Sequence, residues 1–177
     1  LALAETLARR GARVAAFDLR FSDEARARLR EVCPAALFFE VDVRDAAGVA
    51  AAVNSAVGQI GRPDVAINSA GVQVARPFLE ISSERYDFVV DINLKGSRNF
   101  AAAVLRQMRS GGHLALVASI AGVVSNYGYA AYSSSKFGVV GLASALRIEC
   151  KPRGICVSVI CPPEVETPMV EEERRTA

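Results

Sequence analysis

Leu114-Ala115-Leu116-Val117-Ala118-Ser119 and, beginning thirteen residues after its serine, Tyr132-Ser133-Ser134-Ser135-Lys136 decide how this chain is read. The first is an apolar run of strand length closed by a hydroxyl, and the second lies in a stretch of helical character that reaches about Cys150. Residues four apart on a helix share a face, so Tyr132 and Lys136 project toward one place. An ammonium beside a phenol favours the phenolate and lowers the phenol's pKa. A phenol tuned in this way can give or take a proton near neutrality. With strand and helix packed as an α/β unit, the Ser119 hydroxyl can hydrogen-bond the oxygen on which that proton lands. Alone, such a tyrosine and lysine are commonplace on an amphipathic helix, and a serine at a strand end is ordinarily a turn or cap residue. The functional reading needs other segments to agree with it.

Outward from this segment, short β-rich runs alternate with longer helical stretches, the pattern of a parallel sheet covered by helices on both faces. Strands are predicted over 12–18, 37–43, 65–68, 113–119 and 155–161. Helices are predicted over 1–10, 22–32, 45–60 and 83–108, with another carrying Tyr132 and Lys136 to about residue 150. Ser22 is a candidate helix cap, Gly111-Gly112 closes the long helix, and Pro162-Pro163 breaks the last strand. Gly138, Gly141, Ala143 and Ser144 give the Tyr132 helix a small-residue face that another helix can approach closely.

At 177 residues and 51% hydrophobic content, the chain suits one domain with a sizeable core. A net charge of +2, with arginines scattered among acidic residues, argues against nucleic acid or an anionic membrane as a partner. The longest apolar runs are too short for a membrane span, and no secretory n-region and h-region opens the chain. Cys33, Cys150, Cys156 and Cys161 show no CxxC spacing, so reduced, buried thiols in a cytoplasmic protein are expected. His113 has no acidic or cysteine partner at ligand spacing, so a structural role and no metal site are expected.

Taken in order, Asp18, Asn68-Ser69-Ala70-Gly71, Asn93, Ser119, the Tyr132/Lys136 pair and Pro162 to Thr167 resemble the motifs of the short-chain dehydrogenase/reductase family over the entire 177 residues. The resemblance implies a doubly wound, Rossmann-like parallel sheet and NAD(P)-dependent oxidoreduction of a small-molecule carbonyl or secondary alcohol. It implies that Tyr132 is the general acid or base and that Lys136 lowers its pKa and bonds the nicotinamide ribose. Ser119 then orients the substrate oxygen, while Asn93 kinks its helix and holds a water in the proton relay. Asp18 ends the second strand of the family's order, where a carboxylate accepts from the adenosine ribose and repels a 2′-phosphate, which favours NAD over NADP. Arg20, just past that strand, points the other way, since it can meet a phosphate. Asp42-Val43 match the adenine contact, and Asn68, Ala70 and Gly71 match the cofactor-side turn; a cap or turn role is the alternative for Asp42. Pro162, Val165 and Thr167 match the segment bordering the nicotinamide, with Pro163 standing where glycine is usual.

The resemblance further implies a homodimer or homotetramer. It also implies a first strand with a phosphate-cradling, glycine-rich turn and a final strand, neither of which falls within 1–177, so the domain is expected to be partial at both ends. In a doubly wound sheet that first strand sits centrally, and its two neighbours lose pairing without it. Two other readings stay open: a dinucleotide-sensing module without catalysis, and reduction of a 3-ketosphinganine-like substrate, implied by the resemblance of the Pro162-Pro163 run, with Lys151-Pro152 ahead of it, to that branch of the family, whose NADPH preference Asp18 does not suit.

Overall fold

The computed structural model describes residues 1–163; Val165 and Thr167 lie outside the described residues. In chain order it contains α1 (Ala2–Arg9), β1 (Ala15–Asp18), α2 (Asp23–Val32), β2 (Leu37–Glu40), α3 (Ala46–Ile60), β3 (Val65–Asn68) and α4 (Ser83–Val90). A π turn (Asp91–Lys95) joins α4 directly to α5 (Gly96–Gln107), followed by β4 (His113–Val117), α6 (Ala130–Cys150) and β5 (Cys156–Ile160). Side-chain caps set several helix starts: Ser22 accepts from the N–H of Ala25, Asp45 from those of Ala47 and Gly48, and Ser82 from that of Arg85.

Among the described residues every strand pair is parallel, as the alternation of elements predicts. Strands are shorter than their apolar runs for identifiable reasons. The Ala12 N–H is committed to the Leu7 carbonyl at the end of α1, which delays β1 to Ala15. After Glu40, the Asp42 carboxylate accepts from the Arg44 N–H and turns the chain toward α3. The long helix predicted over 83–108 forms, but as α4 and α5 joined by the π turn.

The described strands fall into two parallel pieces, β1-β2 and β3-β4-β5. Among the described residues no strand bonds β1 to β3. Alternation along β1 shows how the layers sit. Ala16 packs with Ala8 of α1 and Leu29 of α2, whereas the next residue, Phe17, sets its ring edge-on to Phe100 of α5 at 6.2 Å. Helices therefore cover both faces. The larger core lies around β4, whose Leu114 and Leu116 are fully buried against Val53 of α3, Phe100 and Val104 of α5, and Val139 and Ala143 of α6.

All four cysteines are free. Only Cys150 is buried, so the expectation of buried thiols is corrected: Cys33 and Cys161 are half-buried and Cys156 is exposed at the start of β5. His113 shares a hydrogen bond with the Ser158 hydroxyl at 2.8 Å across β4 and β5. Among the described residues no helix is long and apolar enough to cross a membrane.

Candidate active site

Asp18, Asn68, Ser119 and Pro162 all stand at the carboxyl ends of parallel strands or just beyond them. In open α/β sheets this edge is where ligands bind. The Ile120 N–H donates to the Pro162 carbonyl at 2.9 Å and ties the segment after β4 to the one after β5. Ser119 has extended backbone and caps the short turn Ile120–Gly122, its Oγ accepting from the Ala121 N–H at 3.1 Å. That turn lies hard against α6. A Cβ added at Gly122 would fall 2.7 Å from the Lys136 carbonyl oxygen, so only glycine lets the Ser119 segment come this close to the Tyr132 helix.

Within α6, Tyr132 and Lys136 share a face as their spacing requires: Nζ of Lys136 lies 5.6 Å from the centre of the Tyr132 ring. The lysine is 5% exposed and donates to the Val117 carbonyl at 3.1 Å. Burial pushes its pKa down to about 8, with Cys161 acting in the opposite direction. The Tyr129 ring meets that of Tyr132 edge-on at 6.1 Å, and Gln73 reaches toward the Tyr129 hydroxyl from the segment after β3.

Asn93 sits at the centre of the π turn and is fully buried. Such widened turns are frequent at functional sites. The side-chain amide of Asn93 is tightly held. Its Oδ1 accepts from the Val72 N–H at 2.8 Å, and its Nδ2 donates to the Val72 carbonyl and to Ser135 Oγ, each at 2.9 Å. Ser135 Oγ in turn donates to the Tyr132 carbonyl at 2.7 Å. On the other side, Ser97 Oγ donates to the Asn93 carbonyl at 2.5 Å and accepts from Asn68 Nδ2 at 2.9 Å. A continuous buried network thus joins the end of β3, the π turn and α6. Gly71 fits into it closely, since a Cβ there would lie 3.3 Å from both Asn93 Oδ1 and Lys136 Nζ.

Among the residues matched to the cofactor, Asp18 is exposed at the end of β1 and accepts from the Leu19 N–H at 2.7 Å. Asn68 is buried and turned inward, with Oδ1 accepting from the Ala70 N–H, so it shapes the turn through Ala70 and Gly71. The Asp42 carboxylate accepts from Nε and Nη2 of Arg44, whose hydrogen bonds hold its pKa below the ordinary carboxylate value. Val43 accepts from Asn99 Nδ2 through its carbonyl and packs its side chain against Gly96. Asp18 at one strand end, the Asn68–Gly71 turn and the buried Lys136 ammonium offer the donor and acceptor types a dinucleotide's sugars require. Among the described residues no group of three acidic, histidine or cysteine side chains is placed to hold a metal ion.

The network also contains two residues that sequence reasoning misses, Ser97 and Ser135. Ser97 stands four residues after Asn93, a spacing that puts it on the same helix face. For Ser135 the sequence carries no comparable signal, since its partner lies 42 residues away.

An open, parallel α/β sheet with Ser119 and the helix bearing Tyr132 and Lys136 at its carboxyl edge, and a braced Asn93 beside them, defines a class of Rossmann-like oxidoreductases. The chain belongs to the short-chain dehydrogenase family, whose profile, described as short chain dehydrogenase, matches residues 1–177. It is 39% identical over 181 residues to the oxidoreductase UcpA of Escherichia coli K12, covering 98% of this chain and 67% of that protein. The crystal structure of levodione reductase superposes with a TM-score of 0.93 at 31% identity, over 98% of this chain and 70% of that one. Carveol dehydrogenase from Mycobacterium avium, solved in complex with NAD, superposes at 0.88 with 29% identity, over 94% of this chain and 67% of that one.

Proposed function

We propose that the protein interconverts a small-molecule carbonyl and its secondary alcohol with NAD(H), and that Tyr132 moves the proton. The observation that carries this reading is the buried Lys136 ammonium beside the Tyr132 ring, on a helix whose backbone at Lys136 packs against the turn that Ser119 caps. The nicotinamide supplies the hydride chemistry when bound. Tyr132 donates its phenolic proton to the carbonyl oxygen during reduction and recovers it during oxidation. Lys136 stabilises the phenolate through its charge and bonds the nicotinamide ribose. Ser119 holds the substrate oxygen within reach of the phenol. Asn93 braces the segment around Gly71 and Val72 and supports a water that connects Lys136 with solvent. Asp18 receives the adenosine ribose, which favours NAD over NADP; Asp42 and Val43 border the adenine. Asn68, Ala70 and Gly71 form the cofactor-side turn after β3, and Pro162 borders the nicotinamide. We further propose that 1–177 forms a single NAD(P)-binding domain.

Tyr132→Phe is expected to lower turnover by about 10²–10⁴-fold while NADH binding, read by fluorescence, changes little. Retained turnover removes Tyr132 from the mechanism, and NADH binding without turnover on a broad carbonyl panel favours the sensing module. The panel includes 3-ketosphinganine, which tests that narrower reading directly. In the wild type, carbonyl reduction is expected to fall as pH rises through about 8, because Lys136 then loses the charge that stabilises the phenolate left by proton donation.

A further inference from the structure

We propose that Ser135 is a positioning residue that holds the Tyr132 turn of α6 and the segment around Val72 in one arrangement, acting through Asn93. The inference rests on the proposed role of Tyr132. Its geometric basis is independent of that role. Ser135 is fully buried, and its single oxygen links two parts of the site that are far apart in sequence. The oxygen accepts from Asn93 Nδ2 at 2.9 Å and donates to the Tyr132 carbonyl at 2.7 Å. A bond to a carbonyl one turn back is ordinary for a helical serine. The acceptance from Asn93 is not, because it reaches out of the helix to a residue that clamps both backbone groups of Val72.

The logic of the amide makes Ser135 hard to replace. Asn93 has two N–H donors; one goes to the Val72 carbonyl and the other to Ser135. Water cannot stand in for the lost oxygen, since removing one hydroxyl opens far less space than a water molecule needs. Deleting the hydroxyl therefore leaves a buried N–H without its acceptor, and the amide can relieve this only by rotating away from Val72. That rotation loosens the segment containing Gly71, which packs against Lys136 Nζ as well as Asn93. The consequence is a small relative displacement of Tyr132 and Lys136, and displacements of this order reduce turnover with little effect on ligand affinity.

The test compares the wild type with Ser135→Ala and with Ser134→Ala, a neighbouring hydroxyl that bonds Ala131 and Tyr86 outside this network. Ser135→Ala is expected to lower kcat roughly tenfold while KM for the carbonyl and the Kd for NADH stay within about twofold. Its alcohol-oxidation pH profile moves to higher pH, and the Val72 amide exchanges faster in the cofactor-free protein. Ser134→Ala leaves all five readouts as in the wild type. Unchanged kcat in Ser135→Ala overturns the proposal, as does a lower kcat with the Val72 amide and the pH profile unmoved. Amide exchange needs no turnover, and Tyr132→Phe is measured alongside. An active Tyr132→Phe overturns the proposed chemistry, whereas an inactive one beside an unaltered Ser135→Ala overturns only the positioning role.

Discussion

The two pieces of the sheet are built on different physics. Around β3-β4-β5 the chain closes over a large apolar core and threads a buried polar network through it, with glycines at the points where elements come closest. Around β1-β2 the buried cluster among the described residues is Ala8, Leu29 and Ala36, edged by partly exposed neighbours, and polar contacts include surface ion pairs such as Arg26–Glu40 at 2.6 Å. The residues matched to chemistry lie in the first region, while Asp18, matched to the adenosine, lies in the second. Proton transfer demands positions fixed to fractions of an ångström. Holding a sugar hydroxyl tolerates a softer frame.

The contrast is sharpest in paired core truncations. Leu114→Ala, in the middle of the large core, is expected to cost about 4–5 kcal/mol in urea unfolding, against roughly 2–3 for Leu29→Ala, where the surroundings can collapse into the space. Equal losses would show that the two regions share one degree of packing. Gly122→Ala places a methyl against backbone that cannot swing aside, and is expected to cost about 1–3 kcal/mol and to reduce turnover along with stability. Wild-type stability in Gly122→Ala would break the link between Ser119 and α6. The smallest effect is expected for Glu40→Gln. It removes half of an exposed ion pair and should shift unfolding by no more than about 1 kcal/mol, less still at high salt.

Much of this arrangement is legible in the residues themselves. The alternation of apolar runs with amphipathic stretches specifies the parallel sheet, and short-range chemistry places Ser22 and the start of α3 at Asp45. Tyr132 and Lys136 can be paired because helix geometry relates residues four apart without further information. Strand ends are less legible, since Ala12 and Asp42 belong to apolar-flanked runs but bond into adjoining turns. The role of Ser135 is not legible at all. It depends on Asn93 arriving from another helix, and one serine among three in succession carries no mark of that tertiary contact. The exposure of Cys156 escapes sequence reasoning for a similar reason: apolar neighbours signal a strand, but not which side of it faces solvent.

The π turn has a consequence for tolerance to substitution along 83–107. Each half of that helix keeps its own sensitive stripe. Tyr86 before the turn meets Ser134 on α6, while Ser97 and Asn99 after it bond to β3 and to the segment following β2. A widened turn contains one residue more than an α-helical turn, so the stripes are out of phase by roughly 100°. Deleting a single residue within Asp91–Lys95 would bring them into line, leaving a straighter helix whose two halves could no longer satisfy both sets of neighbours.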